Sequence, residues 1–226
     1  MALITTENVS RLFKSGAETI HALRSVNIGI EPGTLTVLKG RSGSGKTTLL
    51  NLLGALDRPN EGKILFDGID ITNLGEIKRD ELRRTKMGFV FQSIALISLM
   101  SAYENVEFGL RVAGYNAGQR RKRAEECLAF VGLQKRMSHR THELSGGEQQ
   151  RVAIARAIAH RPSVIFADEP TAELDTHMGL QVVKVFRDLV GKEGVTVVMT
   201  THDPNMMELA DKVFELSDGE IVQQTS

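Results

Sequence analysis

A single cysteine, Cys127, stands among 226 residues, so the chain can form no intramolecular disulfide and no multi-cysteine metal site. Its expected role is that of a small packed apolar residue in a reducing compartment. Net charge is also missing: 28 Lys plus Arg balance 28 Asp plus Glu, which removes the electrostatic reason to expect nucleic acid as a partner. No apolar run approaches the roughly 18 residues of a membrane span, and the opening MALITTENVSRLFK lacks the apolar block of a signal peptide. These absences lead to the expectation of a soluble, non-secreted chain. No internal repeat and no low-complexity tract is visible. What the chain does have is 41% apolar residues, enough to bury the core of one domain, or of a domain with a subdomain.

Alternation of apolar and polar residues predicts two strands in ALITTENVSRLF and HALRSVNIGIE, with KSGAET as their loop. A turn at Pro32 precedes LTVLKG, which reads as a buried strand, and KTTLLNLLGAL follows as a helix by its leucine spacing. KILFDGIDIT reads as strand and turn, EIKRDELRRTK as a charged helix and MGFVFQ as another strand, while residues 93–138 read as helical. The run RRKR at Arg120 to Arg123 is followed by Glu125 and Glu126, which predicts a solvated helix face. Thereafter helix and strand alternate, through GEQQRVAIARAIAH, SVIFAD, MGLQVVKVFRDLVGK and VTVVMTTH, to a closing hairpin around Asp218 and Gly219. Such alternation predicts an α/β fold with a mostly parallel sheet covered by helices.

GRSGSGKTT, comprising Gly40, Arg41, Ser42, Gly43, Ser44, Gly45, Lys46, Thr47 and Thr48, satisfies the phosphate-loop pattern between a predicted strand and a predicted helix. Glycines let the backbone turn its N–H groups towards phosphate oxygens, and the helix that follows offers its positive end. Lys46 reaches the terminal phosphates, and the Thr47 hydroxyl suits Mg²⁺. The competing account, a glycine-rich turn with an incidental lysine, does not explain the full spacing. SVIFADEP ends an apolar strand in Asp168 and Glu169; at the carboxyl edge of a parallel sheet the first would hold Mg²⁺ through water and the second polarise the attacking water. His202 closes the next strand and is placed for a hydrogen bond to the γ-phosphate.

A second phosphate-type helix start lies about a hundred residues downstream. Ser145, Gly146, Gly147 and Glu148 form S-x-x-E before an apolar-periodic stretch, a capping box, and the two glycines are expected to leave the first-turn amides bare for an anion. Taken alone it reads by default as a helix cap and nothing more.

In this order, GRSGSGKT, an isolated FQ, LSGGEQQR, DEPTAELD and TTHD resemble the ATP-binding cassette family of ATPases over essentially the whole chain. The resemblance implies a single domain over residues 1–226. Within it, residues 1–92 with 139–226 would form the P-loop core with an N-terminal antiparallel β subdomain, and residues 93–138 an inserted α-helical subdomain, with the signature motif, 144–148, at its end. It also answers why one chain carries two cradles, because in that family the LSGGE stretch closes over ATP held by a second subunit in a head-to-tail dimer. Each composite site would then take Lys46, Thr47, Gln92, Asp168, Glu169 and His202 from one protomer and Ser145, Gly146 and Gly147 from the other. Phe13 matches the aromatic that stacks on adenine, against the competing reading of a core phenylalanine. Gln92 matches the glutamine that touches Mg²⁺ and water, and Asp175 the aspartate of the loop crossing the dimer interface. Arg41, Thr47 and Glu173 depart from the commoner Pro, Ser and small or amide residues, and the Glu173 carboxylate near the dimer seam is expected to weaken closure or alter water positioning.

Within the family the texture of LLNLLGALDRPNEGKILFDGIDIT and HELSGGEQQRVAIARAIAHRPSVIFADEPT is similar to the stand-alone ATPase subunits of the macrolide-exporter and lipoprotein-releasing type. That implies ATP and Mg²⁺ as cofactors, a homodimer formed on ATP binding, a separately encoded transmembrane permease as partner, and residence on the cytoplasmic face of the cell membrane through that partner. Ile94, Leu96, Ile97, Leu99 and Met100 are expected to offer the permease an apolar groove, insofar as they are not core. The alternative is a soluble regulatory ATPase of the same fold, in cluster assembly, translation or cell-division signalling. His139 and His142 as a metal pair lack a further ligand.

Overall fold

A computed structural model describes residues 1–16, 18–202 and 204–225, apart from the side chains of Ser15, Pro204 and Asn205. In chain order the strands are β1 (Ile4–Ser15), β2 (Glu18–Val26), β3 (Gly29–Ile30), β4 (Leu35–Lys39), β5 (Glu61–Phe66), β6 (Ile69–Asp70), β7 (Met87–Val90), β8 (Val164–Asp168), β9 (Thr196–Thr200), β10 (Lys212–Ser217) and β11 (Glu220–Thr225). The α-helices are α1 (Lys46–Leu53), α2 (Glu76–Lys86), α3 (Ala102–Val112), α4 (Ala117–Phe130), α5 (Gly146–Ile158), α6 (Thr176–Glu193) and α7 (Pro204–Glu208).

The central sheet runs β11-β10-β4-β9-β8-β7, with every neighbouring pair parallel except the β10–β11 hairpin. Strands β4, β8 and β9 are buried almost throughout, as unbroken apolar runs covered on both faces should be. Successive residues alternate between the two faces. Val37, Ile165 and Val197 pack with α3 to α6, whereas Leu38, Phe166 and Val198 pack with α1 and the second sheet. That second sheet, antiparallel and ordered β2-β1-β5-β6 with β3 against β1, lies over α1. The closing hairpin turns on Asp218 and Gly219, both with positive φ (50° and 82°), as a two-residue turn matched to strand twist requires.

Three sequence expectations need correcting. The predicted loop KSGAET is mostly strand, because β1 continues to Ser15 and pairs through Lys14–Thr19 and Ser15–Glu18; Ala17 within it lies outside the described residues. Residues 93–101 are not helical. Ile94 and Ala95 have φ of 58° and 45°, which breaks a helix, and the buried Asn105 side chain binds the Ile97 N–H and the carbonyls of Ile97 and Ser101 instead. The first helix starts only where Ser101 and Glu104 form a capping box. Finally, RRKR is not wholly a solvated face. Arg120 pairs with Glu107, and the Arg123 guanidinium donates to the carbonyls of Ile158 and Ala159 at 3.2 and 3.0 Å, closing the C-terminal end of α5. Cys127 is buried as expected, and desolvation pushes its thiol up to about 11.

Candidate functional site

Four parallel strands, β4, β7, β8 and β9, end at one edge of the central sheet, and the candidate chemistry is gathered there. β4 runs into residues 40–48. Gly40 and Gly45 have φ of 149° and 103°, and a Cβ would stand 2.3 Å from the Leu216 carbonyl oxygen at the first and 2.5 Å from the Ala22 carbonyl oxygen at the second. Only glycine fits either place. The loop enters α1 at Lys46 with no side chain capping the helix, so its first amides remain for an anion. Lys46 is 5% exposed and its Nζ donates to the Gly40 and Arg41 carbonyls at 2.9 and 3.1 Å, which holds the ammonium under the loop. The Ser44 hydroxyl is buried and has no hydrogen-bond partner among the described residues. Glycine backbone, bare helix start, ammonium and orphan hydroxyl together fit a bound polyphosphate. Beside the loop a cleft of about 620 Å³ is bordered by Ser42, Gly43, Asp218 and Val222.

Asp168 ends β8 directly opposite Thr200 of β9. Its Oδ1 accepts from the Thr47 hydroxyl at 3.1 Å and from the Thr200 hydroxyl at 2.6 Å. Thr47 and Asp168 thus present hard oxygen donors side by side, the set that Mg²⁺ prefers. Glu169 follows with φ of 42°, a left-handed conformation that costs a non-glycine residue on the order of 1 kcal/mol or more. It is held by its N–H donating to the Thr200 hydroxyl and carbonyl at 2.9 and 3.2 Å. His202 Nε2 lies 3.2 Å from Glu169 Oε1. Thr200 therefore positions both carboxylates, and the sequence did not single it out. The signal lay in its place two residues before His202, at the end of a buried strand, but it becomes specific only through the β8–β9 register. Gln92 is exposed two residues beyond β7 at the same edge.

The second cradle is built as a helix start. Ser145 Oγ accepts from Glu148 N–H at 3.3 Å and Glu148 Oε2 accepts from Ser145 N–H at 2.9 Å; this bond holds the Glu148 carboxyl below its usual range. Arg136 adds a contact to Glu148 at 3.2 Å. The two glycines differ, contrary to expectation. Gly146 is half-buried, but Gly147 is buried, and a Cβ there would meet Met178 Cβ and Sδ at 2.9 Å. Its bareness serves the packing of α5 on α6 as well as any anion.

Asp175 caps α6 by accepting from Met178 N–H at 2.9 Å, and Leu174 lies against Gly146. The loop between the carboxylates and α6 thus abuts the signature segment, with Glu173 exposed on it. Phe13 is 40% exposed on β1, not in the core. Of the apolar residues after Gln92, Leu99 is 82% exposed, while Leu96 packs against the core; Ile94, Ile97 and Met100 are half-buried. Among the described residues, no group of three or more His, Cys, Asp or Glu side chains is arranged to hold a metal ion by itself.

Comparison with known proteins gives consistent results. A family model described as ABC transporter matches residues 23–172. An uncharacterised ABC transporter ATP-binding protein of Methanocaldococcus jannaschii, MJ0796, is 43% identical over 226 residues, covering 98% of this chain and 96% of that one. The solved dimer of the MJ0796 cassette in a post-hydrolysis state, bound to ADP and Pi, superposes with a TM-score of 0.91 at 41% identity, over 99% of this chain and 98% of that one. A macrolide export ATP-binding/permease protein, MacB 2 of Yersinia pestis, is 45% identical over 220 residues, covering 97% of this chain but 32% of its own length. The chain thus spans about a third of such fused relatives.

Proposed function

The chain belongs to the ABC transporter family, and from that premise we propose that it closes as a head-to-tail homodimer around two MgATP and so drives a membrane permease carried on a separate chain, in export or in extraction from the membrane. It is an ATPase. The permease is argued from the relatives: the MJ0796 protein is an ABC transporter ATP-binding protein, and the macrolide export relatives join such a cassette to a permease. No helix among the described residues is long and apolar enough to cross a membrane. The permease of the relatives supports a place for the chain on the cytoplasmic face through such a partner.

The observation that carries the reading is the oxygen pair of Thr47 and Asp168 beside the Glu169–His202 contact, at the mouth of the phosphate loop. Residues 40–48 bind the phosphates. Thr47, Asp168 and Gln92 would hold Mg²⁺, which when bound neutralises charge on the β- and γ-phosphate oxygens. Glu169 accepts a proton from water as the water oxygen bonds to the γ-phosphorus. The bond from that phosphorus to its bridging oxygen breaks, and ADP leaves with the electron pair. His202 orients the Glu169 carboxylate and donates to the γ-phosphate. Ser145, Gly146, Gly147 and Glu148 of the second protomer complete the site, and Phe13 stacks on the adenine. Closing and opening of the dimer carry the permease with them.

Sedimentation of the Glu169→Gln chain tests this. It is expected to be monomeric without nucleotide and dimeric with MgATP, with hydrolysis slowed at least ~100-fold, the lower end of what a general base supplies. A chain that stays monomeric at saturating MgATP, or that hydrolyses at the normal rate, overturns the reading.

A further inference from the structure

Arg11 and Phe13, two residues apart on β1, project from the same face of the strand, and the Arg11 guanidinium lies over the Phe13 ring, 4.5 Å from its centroid. The guanidinium is not free to wander. Its Nε and Nη2 donate to Asp57 Oδ2 and Oδ1 at 2.8 and 3.0 Å, a two-pronged fork, and Nη1 donates to Asn60 Oδ1 at 3.1 Å. Asn60 also binds the β1 backbone on both sides of Arg11: its Oδ1 accepts from Leu12 N–H, and its own N–H donates to the Ser10 carbonyl, each at 2.8 Å.

Asp57 belongs to the segment that leaves the phosphate-loop helix. The N–H groups of Leu56 and Asp57 donate to the Asn51 carbonyl in the last turn of α1, at 2.8 and 3.3 Å. The buried Arg79 fixes the same segment through the carbonyls of Ala55 and Asp57 at 2.6 and 2.8 Å. A continuous set of bonds therefore runs from α1 through Asp57 and Arg11 to the ring of Phe13. The strand pairing supplies a second link. Leu12 pairs with His21 and Arg11 with Leu23, so Ala22 is the extra residue of a bulge on β2, and it is the Ala22 carbonyl that presses on Gly45 of the phosphate loop. Bulges of this kind re-aim side chains beside sites.

We propose that Arg11 is the positioning residue of the base-stacking ring. By covering one face of Phe13 it fixes the angle of the ring relative to the phosphate loop and leaves the opposite face for a planar base, a cation–aromatic–purine stack. The proposal rests on Phe13 being the adenine contact, and its test separates the two ideas.

The measurement is calorimetric binding of MgATP and of magnesium tripolyphosphate, which has no base, to the full chain carrying Glu169→Gln to stop turnover. Arg11→Ala is expected to weaken MgATP roughly fivefold, the worth of a partly exposed cation–aromatic contact, and to leave tripolyphosphate unchanged. Asp57→Asn should shift MgATP in the same direction by less, and Arg11→Lys should recover part of the loss, keeping the charge without the fork. Phe13→Ala is the control. If it weakens MgATP selectively and Arg11→Ala does not, Arg11 has no positioning role. If Arg11→Ala weakens both ligands equally, the effect is on the fold and the proposal falls. If Phe13→Ala leaves MgATP binding unchanged, the stacking assignment fails, and with it the role of Arg11.

Discussion

The Thr47 hydroxyl donates to Asp168 Oδ1 at 3.1 Å although the two are 121 residues apart. The contact exists because β4 and β8 flank β9 and end together, and because Thr200 at the end of β9 donates to the same oxygen at 2.6 Å while accepting from Glu169 N–H. Thr200→Val should therefore do two things. It removes a bond to a charged group and leaves the buried Thr200 site without a hydroxyl for Glu169 N–H, a cost of about 1–3 kcal/mol in stability. It also slackens both carboxylates, so kcat should fall more than KM rises. Denaturant unfolding and steady-state kinetics check the pair of effects, and Thr200→Ser should restore both. A valine variant with normal kcat would remove Thr200 from the site.

The two signature glycines separate packing from function. Gly147→Ala places a methyl 2.9 Å from Met178, and the overpacking should cost about 1–3 kcal/mol. Gly146→Ala meets only Leu174, at an ordinary 3.5 Å, so the monomer should unfold within about 0.5 kcal/mol of the parent. Its defect should appear only in MgATP-dependent dimerisation of the Glu169→Gln chain. Equal destabilisation by the two substitutions would contradict the packing seen here.

Where position depends on local pattern, the sequence was readable: residues 40–48, Asp168, Glu169 and His202 each sit at the end of a short apolar strand, and strand ends of a parallel sheet share an edge. Thr200 was hidden because its meaning comes from register, the pairing of Asp168 with Thr200, which no single segment encodes. Arg123 looked like part of a charge run until the C-terminus of α5 was found beneath it. Gly147 reads as a bare amide, and the packing of α6 against it is a second reason for glycine that its own segment does not encode. Residues 93–101 read as helix, and the left-handed backbone at Ile94 and Ala95, together with the Asn105 side chain satisfying backbone groups that a helix would have satisfied, explains why they are not.

A partner that grips the segment after Gln92 should feel Leu99 first. With 82% of its surface exposed, Leu99→Asp should leave the stability and the ATP affinity of the isolated chain within measurement error. Activation of its ATPase by the permease in detergent or nanodiscs should fall roughly tenfold or more, as for an interface anchor. Leu96→Asp is the poorer probe, since Leu96 packs on the core and its loss mixes stability with docking. Undiminished activation of Leu99→Asp would place the docking surface elsewhere.

Acid sensitivity should trace in part to His160. Its ring is half-buried at the end of α5, with Nε2 3.0 Å from the Met87 carbonyl. Burial lowers its pKa and repulsion from Arg123 adds to this, while the Met87 carbonyl opposes them. The sign follows from proton uptake. Above about pH 7 the ring is neutral in folded and unfolded chains alike and contributes no slope. Below about pH 6.5, the ordinary value of an unfolded histidine, the unfolded chain binds a proton that the folded chain refuses, so stability declines as pH falls and levels off beneath the lowered folded pKa. The carboxylates whose pKa values are lowered by backbone or side-chain hydrogen bonds, Asp70, Glu104, Glu143 and Glu148, lose their stabilisation only below about pH 4.5, outside this window. Urea midpoints between about pH 7.5 and pH 5 should therefore fall in the parent chain and flatten in His160→Gln, which keeps a donor for Met87 and does not titrate. An equally steep decline in the glutamine variant would assign the sensitivity to another group.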